Sequence, residues 1–174
     1  MRNITAACTI VLMVVLSNCN CSSKSSGTVE LKRFPIHNMD GVIDQSGIRF
    51  DTEISSDGNG SLHIAADGPT TVTLFEISDI DVDDAQLIYQ AKLRSKDVRG
   101  QVYLEMLCHF SGMGEFFSRD IRSPLTGTRE WSTRETPFFL QSGQKPDYVK
   151  LNLVIQGSGS AWIDDIRLLK GPLG

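Results

Sequence analysis

The stretch VKLNLVIQGSGSAWIDDIRLL, residues 149–169, decides the fold class. Val149, Leu151, Leu153 and Ile155 alternate with Lys150, Asn152, Val154 and Gln156, the period-two pattern of a strand with one buried face. Gly157-Ser158-Gly159 then reads as a turn and residues 161–169 as a second strand, so the stretch reads as a hairpin. Outward from it the same alternation recurs. Strands are expected at 28–34, 48–54, 61–66, 71–77, 86–94, 101–110, 115–121, 131–139, 149–156 and 161–169. They are separated by turn chemistry such as Asp57-Gly58-Asn59-Gly60, read as a hairpin turn, and Asp67-Gly68-Pro69. No window of a dozen residues sustains a helical period. About ten short strands at this spacing predict an all-β fold, an antiparallel two-sheet sandwich.

Alternation also assigns faces. Leu87, Tyr89, Ala91 and Leu93 share one side of their strand, and Val102, Leu104, Met106, Cys108 and Phe110 share one side of the next. With Val149, Leu151, Leu153 and Ile155 they should form the core between the sheets. The reverse sides carry Gln90, Lys92, Tyr103, Glu105, His109, Asn152 and Gln156. If these strands are neighbours, they make a broad polar surface rich in hydrogen-bonding groups. Such a surface reads equally as a ligand face or as a solvated sheet face.

The chain has 174 residues, 22 % of them charged and 40 % hydrophobic, which suits one globular domain. Its formal charge of −4 and the lack of any basic block argue against a nucleic-acid partner, because phosphate-backbone binding needs clustered Lys and Arg. Residues 4–16 (ITAACTIVLMVVL) follow Arg2 and are too short to span a bilayer, which takes about 20 residues. They have the form of a secretory signal peptide. Leu16-Ser17-Asn18-Cys19 then resembles the lipobox of bacterial lipoproteins, with Asn18 departing from the small residue usual before the Cys. That resemblance implies lipidation of Cys19, and Asn20 after it implies the outer membrane if the host is Gram-negative. An ordinary signal peptide cleaved nearby is the alternative. The expected organisation is a signal at 1–18, a flexible Ser-rich tether at 19–27 and a β-sandwich domain at 28–174, with a membrane as partner through the lipid. Loss of Arg2 with the signal takes the charge from −4 to −5. Of the four Cys, Cys8 leaves with the signal, Cys21 lies in the tether and Cys108 reads as a buried small hydrophobe, although a bridge between those two is open in an oxidising compartment.

The 149–169 stretch, a hydrophobic strand, a Gly/Ser turn and then Trp162-Ile163-Asp164-Asp165-Ile166, resembles the closing segment of galactose-binding-like jelly rolls, among them carbohydrate-binding modules of bacterial polysaccharide-degrading enzymes. Gly127-Thr128-Arg129-Glu130-Trp131 followed by Thr136-Pro137-Phe138-Phe139 resembles their segment in which a Trp opens a strand. The resemblance implies a jelly roll that binds glycans on the concave face of one sheet or at the loops of one end, by ring stacking and polar contacts. It implies core packing for Trp131, and Trp162 shares a side with Ile166 and Leu168 by simple alternation. It also implies a structural calcium held partly by Asp164; a carboxylate capping loop amides is the competing reading of that residue.

Asp79-Ile80-Asp81-Val82-Asp83-Asp84 lacks the Gly and Glu of an EF-hand loop and reads as an exposed acidic loop. No H-E-x-x-H, G-x-S-x-G or C-x-x-C motif is present, and Glu105 is the one acid on the polar face with polar company. The expectation is therefore a noncatalytic, lipid-anchored module with no required cofactor. Its ligand face would be built from Gln90, Lys92, Tyr103, Glu105, His109 and Asn152 and would take a glycan. The alternatives are an envelope lipoprotein that contacts a protein partner, and a hydrolase using Glu105.

Overall fold

A computed structural model describes residues 27–173. It contains eight strands: β1 (Val29–Phe34), β2 (Ile48–Asp51), β3 (Ser61–Ala66), β4 (Thr70–Ser78), β5 (Ala85–Phe110), β6 (Gly114–Arg119), β7 (Leu125–Leu140) and β8 (Tyr148–Gly171). All pairings are antiparallel. A straight strand of 26 residues would run about 86 Å, whereas a domain of this size has a radius of gyration of about 15 Å. β5 and β8 must therefore bend, and each runs through both layers of the sandwich. The first half of β5 pairs with the second half of β8, from Gln86↔Gly171 to Lys96↔Ser160; the second half of β5 pairs with the first half of β8, from Arg99↔Ser158 to His109↔Tyr148.

The first layer thus runs β2, β3, β8, β5, β7, with β1 on β8 beside β3. The second layer runs β4, β8, β5, β6. The sandwich is as expected, but residues 149–169 are not a hairpin. Their two limbs pair with the two halves of β5, and the ladder continues through Gly157. At the bend the backbones come so close that a Cβ on Gly100 would strike the Gln156 carbonyl oxygen and one on Gly157 that of Arg99, with φ of +124° and +144°. Only glycine fits there.

The core matches the expected faces. Leu87, Tyr89, Ala91, Leu93, Val102, Leu104, Met106, Cys108, Val149, Leu151, Leu153 and Ile155 are all 1 % exposed or less. In the last limb of β8 the inward set changes parity, from Ala161 and Ile163 to Ile166 and Leu168. Between Gln90 and Lys92 on β5, three steps of β8 oppose two, a bulge with Asp165 at φ 49°. The bulge puts Trp162 on the outer face of the first layer, opposite Ile163, and not with Ile166 and Leu168. Trp131 is half-buried and also lies outside the core cluster. Trp162 is buried as expected, 5 % exposed, but it packs on His63 at that outer face and not between the layers, so core packing is corrected for Trp131 and relocated for Trp162.

Candidate functional site

Cross-strand registers assemble the outer face of the second layer into four rungs. The first holds Thr71, Val154 and Tyr103; the second Thr73, Asn152, Glu105 and Arg119; the third Glu76, Lys150, Leu107 and Phe117; the fourth Ser78, Tyr148, His109 and Glu115. Directly opposed residues in an antiparallel pair share a face, so these side chains are immediate neighbours. Of the expected ligand residues, Tyr103, Glu105, His109 and Asn152 come together here. Gln90 and Lys92 do not: they sit on the first half of β5, on the outer face of the other layer, where Gln90 Nε2 donates to Glu135 (3.1 Å). The two halves of β5 are one strand running round a bend, which places their outer faces back to back.

The middle of the face is packed, not solvated. Tyr103, Glu105 and Asn152 are 5 %, 5 % and 2 % exposed. Glu105 accepts from Asn152 Nδ2 (3.0 Å) and from Arg119 Nε, so its charge is balanced by a guanidinium. Asn152 Oδ1 is buried with no partner among the described residues. A buried carbonyl oxygen costs free energy until a donor reaches it.

The end of the face is more open and carries rings. His109 and Tyr148 stack with centroids 4.6 Å apart and planes 1° from parallel. Phe117 is 58 % exposed and carries the Arg119 guanidinium 4.1 Å from its ring centroid. Glu115 Oε1 accepts from Lys150 Nζ (2.8 Å) and Tyr148 Oη (3.1 Å), and those hydrogen bonds hold its carboxyl below the usual range. Asp147 accepts from Ser111 Oγ (2.9 Å) and lies 3.0 Å from His109 Nδ1; the Ser111 bond, then His109, hold it low against the opposing effect of burial. Ring faces beside charged donors and acceptors match what a sugar offers, an apolar face and a rim of hydroxyls. Phe117, Arg119, Tyr148, Lys150 and Glu115 were absent from the expected set. Phe117 alternates with Glu115 and Arg119, and Tyr148 has the parity of Lys150, so the pattern was present; what was missing was the pairing of β6 with β5.

Asp164 is 2 % exposed, with Ser56 N (3.0 Å) and Ser56 Oγ (2.6 Å) on one oxygen and Asp165 N (2.7 Å) on the other. Hydrogen donors on both oxygens fit a loop-capping carboxylate. Among the described residues no group of three or more His, Cys, Asp or Glu is placed to hold a metal ion. Cys108 is fully buried, and burial pushes its thiol up to about 12, as suits a packing role. Cys19 and Cys21 lie outside the described residues.

No family model and no curated protein matches the chain. Solved structures do share its fold. A family 16 carbohydrate-binding module aligns with TM-score 0.57 at 14 % identity, over 75 % of this chain and 91 % of that one. The xylan-binding CBM22-1 domain of Paenibacillus barcinonensis Xyn10C aligns with TM-score 0.54 at 10 % identity, over 84 % and 94 %. The CBM22-1-GH10 modules of Clostridium thermocellum Xyn10B, complexed with xylohexaose, align with TM-score 0.60 at 9 % identity, over 80 % of this chain and 28 % of that one. At these identities the likeness is one of fold: an all-β sandwich of the kind used by carbohydrate-binding modules.

Proposed function

We propose that the chain is a noncatalytic carbohydrate-binding module, anchored by lipid on Cys19, that takes a glycan across the outer face of the second layer. The observation that carries the reading is the stacked Tyr148–His109 pair with the exposed Phe117 ring one rung away, beside the charged groups of Lys150, Glu115 and Arg119. A sugar ring stacked on the aromatic end would place hydroxyls along the rungs toward Asn152 and Arg119. The sandwich modules that share the fold support the choice of ligand class. A noncatalytic reading is supported by Glu105 being buried and tied to Arg119 and Asn152, with its backbone roughly four strand residues, about 13 Å, from that of Glu115.

The test is a glycan array with the domain from residue 27 onward, followed by calorimetry on the best ligand. Tyr148→Ala and Phe117→Ala should each weaken binding about tenfold, the value of one stacking contact. Absence of binding to any glycan, or full affinity in both variants, would show that the face serves another purpose, such as contact with an envelope protein.

A further inference from the structure

The outer face of the first layer holds a second arrangement that the glycan-face reading leaves unused. Register places Arg49 (β2), His63 (β3), Trp162 (β8) and Arg94 (β5) on one row. Arg49 Nε donates to His63 Nδ1 (2.8 Å), so the imidazole proton resides on Nε2. That Nε2–H is buried without a partner, and His63 as a whole is 6 % exposed. The ring is held from behind by Trp162, stacked at 4.4 Å, whose indole N–H is fixed on Asp51 Oδ2 (2.9 Å). Arg94 lies 6.0 Å from the same indole and reaches Glu130 at 3.4 Å. Among the described residues no carboxylate pairs with Arg49, whose terminal nitrogens carry no hydrogen bond.

In front of His63 is an open cavity of about 340 Å³ lined by Gly47, Ile48, Arg49, His63 and Ala65. A Cβ on Gly47 would meet nothing within 4 Å, so the mouth is unobstructed. The polar side chains that line it are the Arg49 guanidinium and His63, whose Nε2–H is buried without a partner. The remainder is aliphatic. Lys92 and Lys96 lie on the same face of β5 as Arg94, with Glu130 and Glu135 on β7, Asp51 on β2 and Asp164 on β8 as their counter-charges.

We propose that this cavity binds the anionic group of an acidic sugar, a carboxylate or a sulfate ester, on Arg49 beside His63, with the sugar ring against Ala65. A guanidinium beside a fixed N–H suits an oxyanion, and the volume lies at the lower end for small-ligand sites. The site is separate from the second-layer face and does not depend on that reading.

The experiment is an amide NMR titration of the domain with galacturonate, galactose 6-sulfate and neutral galactose, each to about 10 mM. Galacturonate, the sulfated sugar or both should shift the amides of Gly47, His63 and Ala65 with saturation, and neutral galactose should not. Response to the uronate alone assigns a carboxylate site, and response to both a general oxyanion site. Arg49→Gln, at an exposed side chain, should weaken the response at least about tenfold while the spectrum stays folded, and Tyr148→Ala should leave it unchanged. The proposal is overturned if neither acidic sugar shifts these amides, if galactose shifts them equally, or if Arg49→Gln binds as the parent does.

Discussion

Individual side chains show where burial and hydrogen bonding disagree. Tyr89 is fully buried, its hydroxyl has no partner among the described residues, and burial pushes its pKa upward. A buried donor left unpaired costs about 1 to 3 kcal/mol, while the ring itself fills core volume. Tyr89→Phe keeps the ring and removes the orphan group, so it should raise stability by about 1 kcal/mol, or about 2 to 4 °C in Tm by calorimetry. A fall of several degrees would mean that the hydroxyl finds a partner inside the core. Asn152 Oδ1 is a different case: it lies on the outer side of the second layer, yet it too is buried and without a partner among the described residues. Alternation along the sequence predicted that Asn152 and Tyr89 face opposite ways, and they do. What it could not predict was that Asn152 and Glu105 are as deeply buried as core residues, since that depends on Arg119 and on strands far away in sequence.

At the scale of strands, the glycines of residues 149–169 were visible but their meaning was not. Gly157-Ser158-Gly159 carries the chemistry of a tight turn, yet β8 runs on through it because β5 supplies a matching bend at Asp97 to Gly100. A local pattern reports which residues tolerate positive φ; it does not report whether the chain then pairs with itself or with a strand some 55 residues earlier. The Asp164-Asp165 bulge had the same effect on faces, moving Trp162 to the outside by one residue of parity. The bend makes a sharp comparison between two glycines of positive φ. At Gly157 a Cβ would press into the Arg99 carbonyl, backbone against backbone, whereas at Gly143, φ 80°, it would meet nothing within 4 Å. Gly143→Ala should cost about 1 kcal/mol from the strained φ alone. Gly157→Ala adds overpacking between the two longest strands and should cost more than about 3 kcal/mol or prevent folding. Urea unfolding of the two variants measures the difference; equal costs would show that the strands can part at the bend without penalty.

For the molecule as a whole, the sandwich and its core were the legible features, because each rests on period and not on distant pairing. The residues of the proposed glycan face were only half legible: the outward orientation of His109 and Asn152 came from alternation, while placing Phe117 and Tyr148 beside them needed the order of strands across the layer. Anchoring belongs at this scale because it separates the domain from its location. Among the described residues the first strand is β1, from Val29, whose register with Lys170 ties it to the end of β8. Cys19 precedes that first pairing by ten positions, so a change there touches none of the described contacts. Cys19→Ser in the full chain should therefore abolish labelling by radioactive palmitate and move the protein from the membrane fraction to the soluble one. Its Tm should stay within about 1 °C of the parent domain, since surface changes away from packed features fall within about 0.5 kcal/mol. Glycan affinity of the released variant should equal that of the isolated domain, because the second-layer rungs are built wholly from β4, β8, β5 and β6. A Cys19→Ser protein that still takes up palmitate places the acyl chain elsewhere. One that loses its label yet stays in the membrane fraction is held there by the apolar segment at 4–16, and the lipid would then be dispensable for location.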